Sequence, residues 1–185
     1  MSDADHTPEE RLDRWLGKPA VRTRHRRTAR TDPPALWECA GAVRLCDTRG
    51  LGRMVRWRIP GLDPSMTYHE LFRDYPFTVL DEDDGLLISG LCGKIWTLAR
   101  DYPRIADAGE FAAWHEPGTV RVVFAHWVRP LEDGAEIVSE ARVEPTDRVA
   151  ALRLRALWSV IGPFQRLAAE PLTIAVRTAE RARPG

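Results

Sequence analysis

Lysine is almost missing from this chain. Of its 27 basic residues only Lys18 and Lys94 are lysine, which leaves 25 arginines, and 27 acidic residues bring the formal net charge to zero. A balanced charge argues against a dedicated polyanion binder, and high arginine, alanine and proline together fit a GC-rich coding sequence. Long apolar runs are missing too: no stretch could span a bilayer, and the first residues are acidic and polar, so a cytoplasmic protein without a membrane span is expected. Cysteine is scarce. Cys39, Cys46 and Cys92 are odd in number and form no CxxC pair, which argues against a disulfide framework or a cysteine-rich zinc site and leaves reduced, mostly buried thiols. No repeat and no low-complexity segment interrupts the 185 residues.

What is present is organised around the last forty residues, Pro145 to Gly185. At about 100° per residue, Leu154, Leu157, Val160, Ile161, Phe164, Ala168, Leu172 and Ala175 share one broad sector, and Arg148, Arg155, Ser159, Arg166, Glu170 and Arg177 oppose them. This is the pattern of a one-sided core helix. Unbroken, it would be roughly 50 Å long, more than a compact chain of this size is wide. A bend is therefore expected at Gly162-Pro163, where Pro163 has no N–H for the carbonyl of Ser159, and Pro171 repeats the problem.

The chain before it reads as short helices and strands. Thr7-Pro8-Glu9-Glu10 has the capping-box pattern of a helix over about 8–16, either docked or frayed, and residues 1–17 are read as a tail carrying it. A first strand over 20–31 follows from its alternation, then a helix from Pro33-Pro34 to Gly41 and another over about 49–58, stopped by Pro60-Gly61. Thr67 to Arg73 is expected to be a strand, as are Phe77 to Glu82 and Leu86 to Trp96, joined at Asp83-Asp84-Gly85. A short helix over 106–114 and a last hairpin, 119–129 with 136–144, complete the set. In that hairpin Ile137, Ser139, Ala141 and Val143 alternate with Glu136, Val138, Glu140 and Arg142, the mark of one covered and one wet face.

This order resembles the helix-grip fold of the START-like, polyketide-cyclase-like superfamily (SRPBCC). The resemblance rests on the strand-to-helix run His25 to Trp37, the final strand Val138-Ser139-Glu140-Ala141-Arg142-Val143, and Leu157-Trp158-Ser159-Val160-Ile161-Gly162-Pro163-Phe164. The chain looks most like bacterial members of no assigned activity that carry a similar Trp-x-Val-Ile-Gly-Pro-Phe segment. The resemblance implies an α+β fold: a curved antiparallel sheet wrapped around a long, kinked C-terminal helix, two short helices after the first strand, and one domain over 18–185. It also implies a cavity for an apolar or aromatic small molecule, without implying a reaction. The iron–sulfur pattern of some members, Cys-x-His with Cys-x-x-His, is absent.

The candidate binding residues are His25, Trp96, Tyr102, Phe124, His126, Arg153, Leu157, Ile161 and Phe164. His25 and His126 either face the cavity as hydrogen-bonding or acid–base groups, or serve as structural histidines. Arg153 falls inside the apolar sector, so its head group either meets an anion in the cavity or snorkels to water. Trp96, Trp127 and Trp158 either line the cavity or pack the core, and register sets Trp127 on the face opposite His126. Tyr102 borders the long excursion after the third strand, the natural lid. Cys92-Gly93-Lys94 lacks the context of a phosphate loop, and the arginines from Arg22 to Arg30 lack the interleaved aromatics of a nucleic-acid binder, so no nucleic-acid partner is expected. The histidines do not make a metal spacing, and neither metal nor cofactor is expected. Three functions stay open: a binder of a small apolar or aromatic molecule, a cyclase or aromatase-type enzyme using the same cavity, and an interaction module with a filled core. Oligomeric state is not set by the sequence.

Overall fold

The computed structural model describes residues 6–59, 61–97 and 102–182, with the backbone alone for Arg58 and residues 160–165. Alternating strands build one antiparallel sheet in the order β1-β5-β4-β3-β2, with β1 Val21–Ala29, β2 Thr78–Asp83, β3 Leu86–Gly93, β4 Val120–Leu131 and β5 Gly134–Pro145. Both tight hairpins fall at the acidic-glycine turns. Gly134 turns the second one at φ 143°, where a Cβ would lie 2.2 Å from the carbonyl oxygen of Ala29, so only glycine lets β5 pass this close to the end of β1. A register shift between Val79 and Asp81 bends β2. β3 stops at Gly93 (φ 129°), short of the expected Trp96.

Between β1 and β2 run α2 (Pro33–Gly41), a 3-10 turn (Leu45–Asp47), α3 (Leu51–Arg58) and α4 (Tyr68–Leu71). The last corrects an expectation, since residues 67–73 were expected to be a strand. Local capping decides against it: the Glu70 amide donates to Thr67 Oγ1 at 3.2 Å, and the Thr67 amide donates to Glu70 Oε2 at 2.7 Å. The closing segment breaks where the proline chemistry requires. α6 (Arg148–Ile161) passes into a 3-10 stretch (Gly162–Ala169) and then α7 (Glu170–Ala182), with Pro171 in the first turn of α7, where its missing N–H costs nothing. Glu170 reaches across to cap α3, accepting from the amides of Gly50 and Leu51 at 3.0 Å each.

The inner face of the sheet is covered by α7 and α2. Leu172, Ala175 and Ala179 pack with Leu36, Ala40, Leu87 and Ile137 in one apolar cluster. The fold is α+β and helix-grip, with more helix between β1 and β2 than the two elements expected.

The outer face is covered as well, which corrects the expectation of a wet one. α1 (Pro8–Leu16) lays fully buried Leu12 and Leu16 against Ile88, Val123, Trp127 and Val138, and α5 (Ala108–Ala113) adds Phe111. Burying two leucines contributes about 3–6 kcal/mol before ordering costs, enough to hold a helix too short to persist alone. Charge then follows the apolar contact. Glu140 accepts from Arg22 at 2.7 Å, from Arg142 at 2.6 Å and also from Arg24. Arg142 in turn donates to Asp13 at 2.5 Å and to the carbonyl of Leu16 at 2.7 Å, both on α1. Arg11 bridges from α1 to Asp81 and Asp83 of β2. Arg22 and Arg24 of β1 thus serve the sheet's own carboxylate, Glu140. Among the described residues, no helix is long and apolar enough to cross a membrane.

Candidate functional site

Strand register fixes three rows of side chains across the inner face. The first is Val21, Val143, Val122 and Leu91; the second is Thr23, Ala141, Phe124 and Ser89; the third is His25, Ser139, His126 and Leu87. In the first row Val143, Val122 and Leu91 are buried, and in the third Ser139, His126 and Leu87 are. The middle row differs: Ala141 and Phe124 lie on the two central strands of a sheet covered on both faces, yet both are only half-buried. Solvent therefore reaches this row at the centre of the inner face.

Aromatic rings wall it. Phe124 packs against Phe72 at 5.1 Å and Phe77 at 5.5 Å between ring centres, and His126 lies 4.5 Å from Phe72 and 4.9 Å from Tyr68. Such spacings are those of favourable tilted and edge contacts. α4 supplies Tyr68 and, with the residue after it, Phe72, so the helix that sequence alternation missed delivers half of the wall.

Polar atoms in this wall are few, neutral and short of partners. Among the described residues, both ring nitrogens of His126, Nε2 of His69 and Oγ of Ser89 are buried with no hydrogen-bond partner. Burial drives His69 down to about 4, helped by Arg73, and drives His126 well below the usual imidazole value, with His69 adding to it. Both rings are therefore neutral at pH 7, each with one donor and one acceptor nitrogen. Burial pushes Tyr68 up to about 12 despite its hydrogen bond to Ser139. Leaving such atoms unpaired costs about 1–3 kcal/mol each, and buried polar atoms without partners call for water or a ligand.

The other expected residues gather at the far end of the inner face. Trp96, half-buried, and buried Tyr102 join the cluster of Leu91, Val120, Val122, Val143 and Leu154. Arg153 is exposed, with its guanidinium 5.9 Å from the Trp96 ring centre, near Asp147, whose carboxyl is held low first by the amides of Ala150 and Gly118 and least by Arg153. Half-buried Leu157 lies on α6; the side chains of Ile161 and Phe164 lie outside the described residues. Beside α6 a recess of about 450 Å³ opens between Val21, Leu154 and Trp158, next to the first row of the inner face. A larger open cleft, about 1010 Å³, lies at the opposite end between Arg30, Asp32, Leu131 and Ala182. Trp127 is fully buried on the outer face under Arg24, 5.4 Å from guanidinium to ring centre. Among the described residues, no group of three or more His, Cys, Asp or Glu side chains has metal-holding geometry.

Sequence reasoning placed Phe124, His126 and His25 on one face, and missed Tyr68, His69, Phe72 and Ser89. A signal for Ser139 was present, as the one hydroxyl on an otherwise apolar register. For His69 and Tyr68 the signal was Thr67 three residues before Glu70.

The fold is a helix-grip domain with a partly exposed aromatic row on the inner face of its sheet. No protein-family model matches the chain, and no curated protein matches it. Among solved structures it is similar to the Zhui aromatase/cyclase from Streptomyces sp. R1128, at 13% identity and a TM-score of 0.34, over 87% of this chain and 94% of that one. It is also similar to TTHA0849 from Thermus thermophilus, at 12% identity and a TM-score of 0.28, over 87% of this chain and 95% of that one. Likenesses of this size carry nothing about a site or a reaction.

Proposed function

We propose that the protein binds a small, uncharged aromatic molecule bearing a hydroxyl or carbonyl group, held at this inner-face row between the sheet and its covering helices. The observation that carries this reading is the half-buried Phe124–Ala141 row beside the unpartnered atoms of His126 and Ser89. Apolar walls with a few convergent polar groups are the ordinary make-up of a ligand site. The neutral imidazoles offer a donor and an acceptor but no charge, so an uncharged polar substituent is the complement. The half-open row counts against a filled core with no ligand.

Binding is favoured over acid–base catalysis by the same imidazoles. A general base works best with a pKa near the operating pH, and His69 near 4 has little proton affinity at neutrality. The test is a paired titration with 2-naphthol and naphthalene, followed by the fluorescence of each probe. Wild type should prefer 2-naphthol by about tenfold, the worth of one or two net hydrogen bonds. His126→Phe should bind both alike. Failure of 2-naphthol to bind, or an undiminished preference in His126→Phe, sinks the proposal.

A further inference from the structure

In a chain of zero net charge, several stretches carry arginine and no acid, and two of them hold a complete α-helix: 48–62, with Arg49, Arg53, Arg56 and Arg58, and 148–169, with Arg148, Arg153, Arg155 and Arg166. Each contains one helix, α3 and α6, and each helix exposes a pair of large apolar side chains one turn apart. On α3 these are Met54 and Trp57, exposed to 40% and 59%; on α6 they are Val149 and Leu152, at 52% and 64%. Four of the six exposed large apolar side chains among the described residues thus fall on these two helices. Around them Arg49, Arg53, Arg56, Arg148, Arg153 and Arg155 are all exposed. Both helices border the same stretch of chain. α6 runs directly into the 3-10 segment, and Gly50, just before α3, approaches Leu167 and Glu170 so closely that a Cβ would lie 2.4 Å from Leu167 Cδ2.

We infer that α3 and α6 form a surface that docks on anionic lipid membranes. Protruding apolar pairs ringed by cations are what an interfacial helix presents: the apolar tips enter the boundary between headgroups and acyl chains, and arginines meet the lipid phosphates. Tryptophan is the side chain most at home at that depth. A phosphate backbone of nucleic acid would satisfy the arginines and leave Val149 and Leu152 with nothing to enter. This inference stands on surface residues and does not rest on the ligand proposed above.

The test is co-sedimentation of the full chain with vesicles of phosphatidylcholine and phosphatidylglycerol in equal parts, with pure phosphatidylcholine vesicles, and a DNA duplex in place of vesicles. Wild type should sediment with the mixed vesicles alone. Arg53→Gln with Arg56→Gln, and separately Val149→Ser with Leu152→Ser, should each weaken that binding on the order of tenfold. All four positions are exposed, so unchanged melting would confirm that the fold is kept. Absence of wild-type binding, equal binding to neutral vesicles, variants that bind as wild type does, or binding to the duplex with none to vesicles would each overturn the inference.

Discussion

On the outer face of the sheet Glu140 and Arg142 are buried side by side, and each carboxylate there meets a guanidinium. Among the described residues, the two buried outer side-chain atoms without a hydrogen bond, Arg24 Nη2 and Trp127 Nε1, belong to a cation and the ring it covers. On the inner face the buried side chains of the same strands are uncharged, and His126 and Ser89 meet no partner among the described residues. The face that reads as functional from its charge is thus a closed structural joint. The proposed site lies where polarity is sparse and unspent, because a network that satisfies itself has nothing left to offer a ligand.

The largest expected effect breaks the joint. Glu140→Leu removes the buried carboxylate shared by Arg22, Arg24 and Arg142, leaving Arg142 only Asp13 and the Leu16 carbonyl. It should cost about 3 kcal/mol in guanidinium unfolding, while the preference for 2-naphthol over naphthalene persists in the folded fraction. A loss under about 1 kcal/mol, the worth of an exposed pair, would show that water reaches the network and that the two faces are less distinct than they look.

Acid should separate the faces in two stages. Unfolded imidazoles titrate near 6.5 and folded His69 near 4, so between those values the unfolded chain binds more protons. The inner-face contribution is complete above about pH 7 and drains away as pH falls through this window, on the order of 3 kcal/mol for His69. Glu140 behaves differently. Burial pushes its carboxyl up, but the hydrogen bonds from Arg22, Arg142 and Arg24 outweigh that and leave it below its ordinary 4.5. Its contribution is present above that value and lost only at lower pH. Urea midpoints measured against pH should therefore fall twice. His69→Phe should shrink the upper step and leave the part due to His126, and a titration with no loss above about pH 4.5 would place the histidines in water.

The smallest effect sharpens the contrast. Ser89→Ala removes an unpartnered hydroxyl and should leave stability unchanged or raise it by about 1 kcal/mol, whereas the same kind of truncation on the outer face always removes a partner. A thermal melt reads the difference. Marked destabilisation by Ser89→Ala would mean that the hydroxyl has a partner in solution.

Most of the fold was legible because its signals are local. The acidic-glycine turns, the proline break and the Thr7 cap each act within a few residues, and each expected element near them formed. α4 was misread although its capping box is as local as that of α1, because four residues carry too little periodicity to outweigh apparent alternation. The outer face was misread for another reason. Nothing within β5 says that Asp13 and Leu16, more than a hundred residues away, will come to cover Arg142. The proposed site was legible in part, since register placed His126 on the face of Phe124, but the exposure of that row depends on what the covering helices leave uncovered.

Glu170 has a bearing on how the molecule breathes. Because its carboxylate holds the amides of Gly50 and Leu51, α3 is tied to the closing segment by bonds that exist only while α7 begins where it does. Hydrogen exchange at those two amides therefore keeps time with the closing segment, although both belong to a different helix. The rate at which deuterium enters Gly50 and Leu51 is a clock for the opening of that segment.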